Sequence, residues 1–219
     1  MIELIRDASP ADLIEVGFKG AYDVQSAYHA KWRVVQKHLE AIRGNGTPHD
    51  AGDGDVYFDL ILRQMEDEQA QYMRSTGEGG HPHSRTRIQI QLTRYWLVSV
   101  GEMLRATRNR VKDPTLHVRM TELVDRFGAI RMMVAKQEVQ RHGASPPDTV
   151  LSGVLIEGMN GSNEMSCERT EAPKGYQVRP IMNRENGSIC FPVYDAAGNT
   201  LWNDDRRSLS DLILDEFSQ

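Results

Sequence analysis

Hydrophobic positions follow two different rhythms along the chain. Through residues 9–142 they recur at steps of three, four and seven, the spacing of amphipathic helices, and after Gly143 they fall into short runs between turn residues. Ser9-Pro10-Ala11-Asp12 opens the first helix, with Ser as N-cap, Pro in the first turn and an acid to meet the dipole. Val24, Tyr28, Val35, Leu39 and Ile42 then share one face, and Gly44-Asn45-Gly46 ends the segment. Asp55 caps a second helix that turns Tyr57, Leu60, Ile61, Met65, Gln69 and Tyr72 to one side, and residues 74–84 form an exposed loop.

Two long helices fill residues 85–142, joined at Lys112-Asp113-Pro114. On the first, Ile88, Leu92, Tyr95, Trp96, Met103 and Leu104 make a stripe that Leu97 and Val100 widen beyond half the circumference, which predicts a central helix. On the second, Leu116, Met120, Leu123, Phe127, Ile130 and Val134 step by three or four throughout. Strands are predicted at 150–156, 176–182, 189–194 and 200–202, with Asn186-Gly187 and Gly198-Asn199 as turns and polar residues 160–175 as a loop. Ser208-Leu209-Ser210-Asp211 resembles a capping box and opens a last helix over 209–217. The expected fold is α+β and mainly α: an antiparallel four-helix bundle (9–142), then a small antiparallel β-sheet and a C-terminal helix (149–219). A small meander is marginal alone, so the C-terminal part is expected to pack on the bundle or on a second subunit.

With 39% apolar and 26% charged residues, the chain has enough core-forming material to argue against global disorder. Its net charge of −5 hides a segregation, because residues 85–142 carry +7 and the segments on either side carry −6 each. A basic centre suits a polyanion, but the flanking acids are sufficient to neutralise it internally. Two cysteines, Cys167 and Cys190, are too few for a disulfide scaffold and leave reduced thiols or a single bridge. The acidic start resembles no signal peptide, and no run approaches the roughly 20 apolar residues of a membrane span. A soluble cytoplasmic protein without membrane association is expected.

Candidate chemistry concentrates at the corner between the central helices. Arg110-Val111-Lys112-Asp113-Pro114-Thr115-Leu116-His117 resembles in part the RxxxxH-type signature of the HEPN ribonucleases, which are small helical bundles. That resemblance implies a metal-independent ribonuclease of toxin or phage-defence type, with RNA as partner, Arg110 holding the scissile phosphate and His117 moving protons. Val111 stands where that family usually has Asn, Asp or His, and similar Arg-to-His spacings recur at Arg33–His38, Arg43–His49 and Arg74–His81.

A second set, Arg94, Arg108, Arg131 and Glu138, has the spacing for a polar binding cluster between the two helices; a self-satisfied Arg–Glu network has the same signature. His81-Pro82-His83, with His49 and Asp50, lacks the Cys or Glu of a zinc site, and Asp53, Asp55 and Asp59 lack the closing Glu of a calcium loop. No metal or cofactor is expected. The nearly all-round apolar central helix and the small sheet point to a non-catalytic homo-oligomeric interaction protein of bacterial type, with the ribonuclease as the alternative.

Overall fold

The computed structural model describes residues 9–44, 53–77, 83–136, 149–157, 163–171, 180–194 and 200–218. The chain is mostly helical, with small two-stranded antiparallel sheets. The helices are α1 (Pro10–Val24), α2 (Ser26–Arg43), α3 (Asp53–Thr76), α4 (His83–Arg108), α5 (Pro114–Lys136) and α6 (Arg206–Phe217). The start of α1 is closed by a full capping box, Ser9 and Asp12 each accepting from the other's backbone N–H. The single helix expected from Ser9 to Ile42 is instead two, broken at Gln25 (φ −106°, ψ 24°). Val24, just before the break, is 65% exposed, whereas Val35 and Leu39 beyond it are fully buried. At the α4–α5 corner the Asp113 carboxylate accepts from the Leu116 N–H at 2.7 Å, capping α5 at its proline.

The core is built where α2, α3, α4, α5 and α6 meet. Trp96 lies edge-on to Trp32 at 6.4 Å and tilted against Phe127 at 6.0 Å. Gly101 sits beside Phe127, where a Cβ would lie 3.4 Å from its side chain. Leu209, Ile213, Leu214 and Phe217 of α6 join the same cluster, so the C-terminal helix shares the core of the longer helices. Two faces differ from the expected pattern. Ile88 and Tyr95 of α4 are each 56% exposed, and α3 buries Asp59, Arg63 and Glu66 beside Val56, Leu60 and Leu62. Apolar periodicity reads every charge as solvent-facing, which fails where charges neutralise one another inside.

The strands also differ from a single meander. β1 (Thr149–Glu157) pairs antiparallel with β2 (Asn163–Glu171), in a register from Thr149↔Glu171 to Glu157↔Asn163. β2 falls where a loop was expected, because backbone pairing overrides a composition of low β-propensity. β3 (Ile181–Met182) pairs with β4 (Ile189–Cys190), and β5 (Val193–Tyr194) with β6 (Thr200–Trp202). Phe191-Pro192 separates β4 from β5, since proline has no N–H to give to a ladder. Part of the predicted strand 176–182 lies outside the described residues. The last helix begins earlier than expected, at Arg206, and its cap is Asp205, whose carboxylate accepts from the Ser208 N–H.

The turn at Asn186-Gly187 falls where expected and has a tertiary role. Gly187 has φ 71°, and a Cβ there would lie 2.1 Å from the Glu66 carbonyl and 2.8 Å from the Ala70 nitrogen. Its carbonyl accepts from Gln89 Nε2 at 2.8 Å, which fits the turn between α3 and α4. Gly187→Ala is therefore expected to destabilise the fold by about 1–3 kcal/mol from backbone strain alone, with the clash adding to it. Gly17→Ala, in open space on α1, is expected to stabilise by about 0.5–1 kcal/mol. Urea unfolding of both variants against the parent checks the contrast.

Candidate functional site

Asp59, Arg63 and Glu66 follow one another at four- and three-residue steps and so share a face of α3. Arg206 and Arg207 stand in the first turn of α6, where the helix dipole disfavours cations. Their partners therefore come from across the core. The Arg206 guanidinium donates to both oxygens of Glu66 and to Asp59, and lies 5.3 Å from the Trp96 ring centroid. Arg63 donates to Asp59 (2.8 Å), Ser210 (2.7 Å) and Asp211 (2.6 Å), and its guanidinium lies 3.8 Å above the Tyr28 ring. Trp32 Nε1 and the Ser210 hydroxyl also donate to Asp59, at 2.8 and 2.7 Å. Arg207 extends the cluster outward to Glu66, Asp67 and the Arg63 carbonyl.

Asp59, Arg63, Glu66 and Arg206 have fully buried side chains, and their formal charges cancel. Burial pushes the Asp59 carboxyl up, but Arg206 and Arg63 outweigh it and hold the group below the usual carboxylate range. Asp55, one turn earlier, shows the opposite balance: burial raises it, and one hydrogen bond from Ser99 at 3.0 Å does not compensate. Cys190 is a buried free thiol that donates to Asn203 at 2.9 Å; burial and the nearby Asp205 and Asp204 push it up, away from nucleophilic use. The ionic cluster is buried at its centre and held mainly by protein partners, the Arg63 Nη1 alone of its guanidinium nitrogens lacking one, which is the chemistry of a fastening more than of a substrate site.

Solvent-facing candidates lie elsewhere. The Arg110 guanidinium donates to the Arg43 carbonyl at 2.7 Å, closing the end of α2, and His117 is exposed in the first turns of α5. Among the described residues no hydrogen bond joins the two. The second set likewise has separate neighbours. Arg94 lies 5.8 Å from the Phe191 ring, Arg108 donates to Asn109 at 3.3 Å, and Arg131 pairs with Glu102, which also holds Arg105. Gly101, Glu102, Arg105 and Arg131 line a cleft of about 50 Å³, too small for the ligands that occupy pockets of roughly 300–1,000 Å³. Glu138, His49, Asp50 and His81 lie outside the described residues, and among those described no group of three His, Cys, Asp or Glu is placed to hold a metal.

Some of the surplus charge of the central helices is met by the acidic flanks: Arg85 pairs with Glu68, Arg119 with Glu216, and Arg126 with Asp204. A larger opening has mostly apolar walls. A groove of about 650 Å³ runs along α1 and α3, lined by Ala11, Ile14, Phe18, Tyr22 and Tyr57, with Glu15 and Lys19 on it. It was not anticipated from the sequence, where α1 reads as one more helix of the core. The signal was the surplus of apolar residues around α1, wider than one neighbour covers.

The two carboxylates of α3 give opposite pH dependences. A depressed Asp59 contributes stability above its unfolded value of about 3.9 and loses it as pH falls through its lower folded value. Asp59→Asn, which strands the buried arginines, is expected to cost about 3–5 kcal/mol at pH 7, a gap that narrows below about pH 4. The raised Asp55 contributes only when protonated, and that contribution is lost as pH rises through its folded value, so Asp55→Asn is expected to stabilise at pH 7. Urea unfolding at pH 7 and pH 3 measures both; an Asp59→Asn gap constant with pH would exclude the ionic role. Among the described residues no helix is long and apolar enough to cross a membrane. Compared with known proteins, the chain matches no family model, no curated protein and no solved structure.

Proposed function

We propose that this chain is a non-catalytic interaction protein that works as a homo-oligomer in the cytoplasm, its long helices forming an antiparallel four-helix bundle on which the C-terminal part packs. The observation that carries the reading is the uncovered face of α1. Leu13, Ile14, Val16 and Val24 are 44%, 59%, 67% and 65% exposed, and Ile14 lines the apolar groove above Tyr57. Exposed apolar side chains bordering an apolar groove, as Ile14 does here, mark a docking site for protein more often than an unoccupied surface. The ionic cluster supports the same reading, because Asp59, Arg63, Glu66 and Arg206 at its centre are fully buried and engaged in holding α6.

In size-exclusion chromatography with light scattering at micromolar concentration, the parent protein is expected to give a mass at least twice its 24.8 kDa. A mass of one chain across that range would overturn the reading.

A further inference from the structure

The apolar surface of α1 does not end at the groove. Phe18 packs edge-on against Tyr57 and Phe58 of α3, at 5.7 and 5.9 Å. On its other side Phe58 meets Tyr95 of α4 at 4.9 Å. Tyr95 is 56% exposed, and so is Ile88, seven residues earlier on the same face of α4. One aromatic row thus runs from α1 across α3 to α4, with exposed apolar side chains at both ends and Phe58 near its middle.

The two ends differ in charge. Residues 10–24 of α1 carry Asp12, Glu15 and Asp23 against Lys19, while residues 83–95 of α4 carry Arg85, Arg87 and Arg94 and no acid. Arg85 is engaged by Glu68 and Arg94 lies against Phe191, and Arg87 is exposed. A surface with an acidic apolar limb, a basic apolar limb and an aromatic centre is complementary to itself after a half-turn. In a two-fold interface residue i meets j of the partner while j meets i, so each limb finds its opposite twice.

We propose that the occupant of this surface is a second copy of the same chain, in a two-fold dimer whose axis passes near Phe58 and lays α1 of each protomer against the N-terminal half of α4 of its partner. The inference rests on the homo-oligomer reading and names its interface. A partner of different chemistry would need only one of the two limbs and would give no reason for both to flank the same aromatic row.

Charge exchange tests it. Glu15 and Arg87 are exposed, so Glu15→Lys and Arg87→Glu are expected to leave helical content by circular dichroism unchanged. Each is expected to raise the dimer dissociation constant in sedimentation velocity by about tenfold, since a reversal is felt at two symmetric places. The double variant Glu15→Lys, Arg87→Glu is expected to recover to within about threefold of the parent, because the attraction is re-formed with signs exchanged. Ile88→Glu is expected to dissociate the dimer outright. A dimer indifferent to Ile88→Glu and to both reversals would overturn this interface and leave the homo-oligomer standing. Weakening by each single variant without recovery in the double would overturn the two-fold arrangement. A parent protein that is monomeric would overturn both readings.

Discussion

The position of the C-terminal helix depends on charges inside the core. Arg206 enters from the first turn of α6 and reaches Asp59 and Glu66 on α3, where Arg63 also pairs with Asp59 and Arg207 with Glu66. Four ionic groups taken out of water are tolerable only as a neutral set that supplies most of one another's hydrogen bonds, and these bonds form only when α6 is docked in one register. Ser210 shows how tight the specification is: its hydroxyl donates to Asp59 while accepting from Arg63, a role one turn of slippage would abolish. Gly187 adds a steric condition, because the turn before α6 fits against α3 only without a side chain at that position.

A buried ion pair contributes little net stability over well-packed apolar residues, whereas breaking one is costly. The cluster is thus better understood as selecting one arrangement than as supplying the drive to fold. That drive comes from Trp32, Trp96, Phe127, Leu39, Leu104 and the apolar face of α6, which meet in a single cluster. The division matters for function. The buried charges of α3 and α6 are engaged with one another, some cations of the central helices are met by acids of the flanking segments, and the groove along α1 is lined mainly by apolar and aromatic side chains.

How far the sequence showed this varies from element to element. The helical character of residues 10–136, the Ser9 cap, the corner at Pro114 and the Asn186-Gly187 turn follow from local spacing and turn chemistry, whereas the break at Gln25 and the start of α3 at Asp53, which puts the expected cap Asp55 inside the helix, do not. The faces were less legible. On α3 the apolar pattern selects Ile61, Met65 and Tyr72, which are half-buried, and passes over Asp59, Arg63 and Glu66, which are wholly buried. Their spacing was visible, and so was the Arg206-Arg207 pair at the start of α6, but a chain read one segment at a time does not join residues 140 positions apart. At Arg110 and His117 the spacing suggests chemistry, and the structure adds that Arg110 donates to the Arg43 carbonyl at the end of α2.

By itself the sequence determined which segments of residues 10–136 are helical, because caps, prolines and apolar periodicity act within a few residues, but not the break at Gln25 or the start of α6 at Arg206. It also determined the charge segregation and its balance. Only the tertiary structure decided which charges are inside, since burial of an ion depends on a partner brought by another element. It likewise decided that α1 and the exposed edge of α4 flank one aromatic row, because no local pattern tells a helix face that a core covers from one left to solvent.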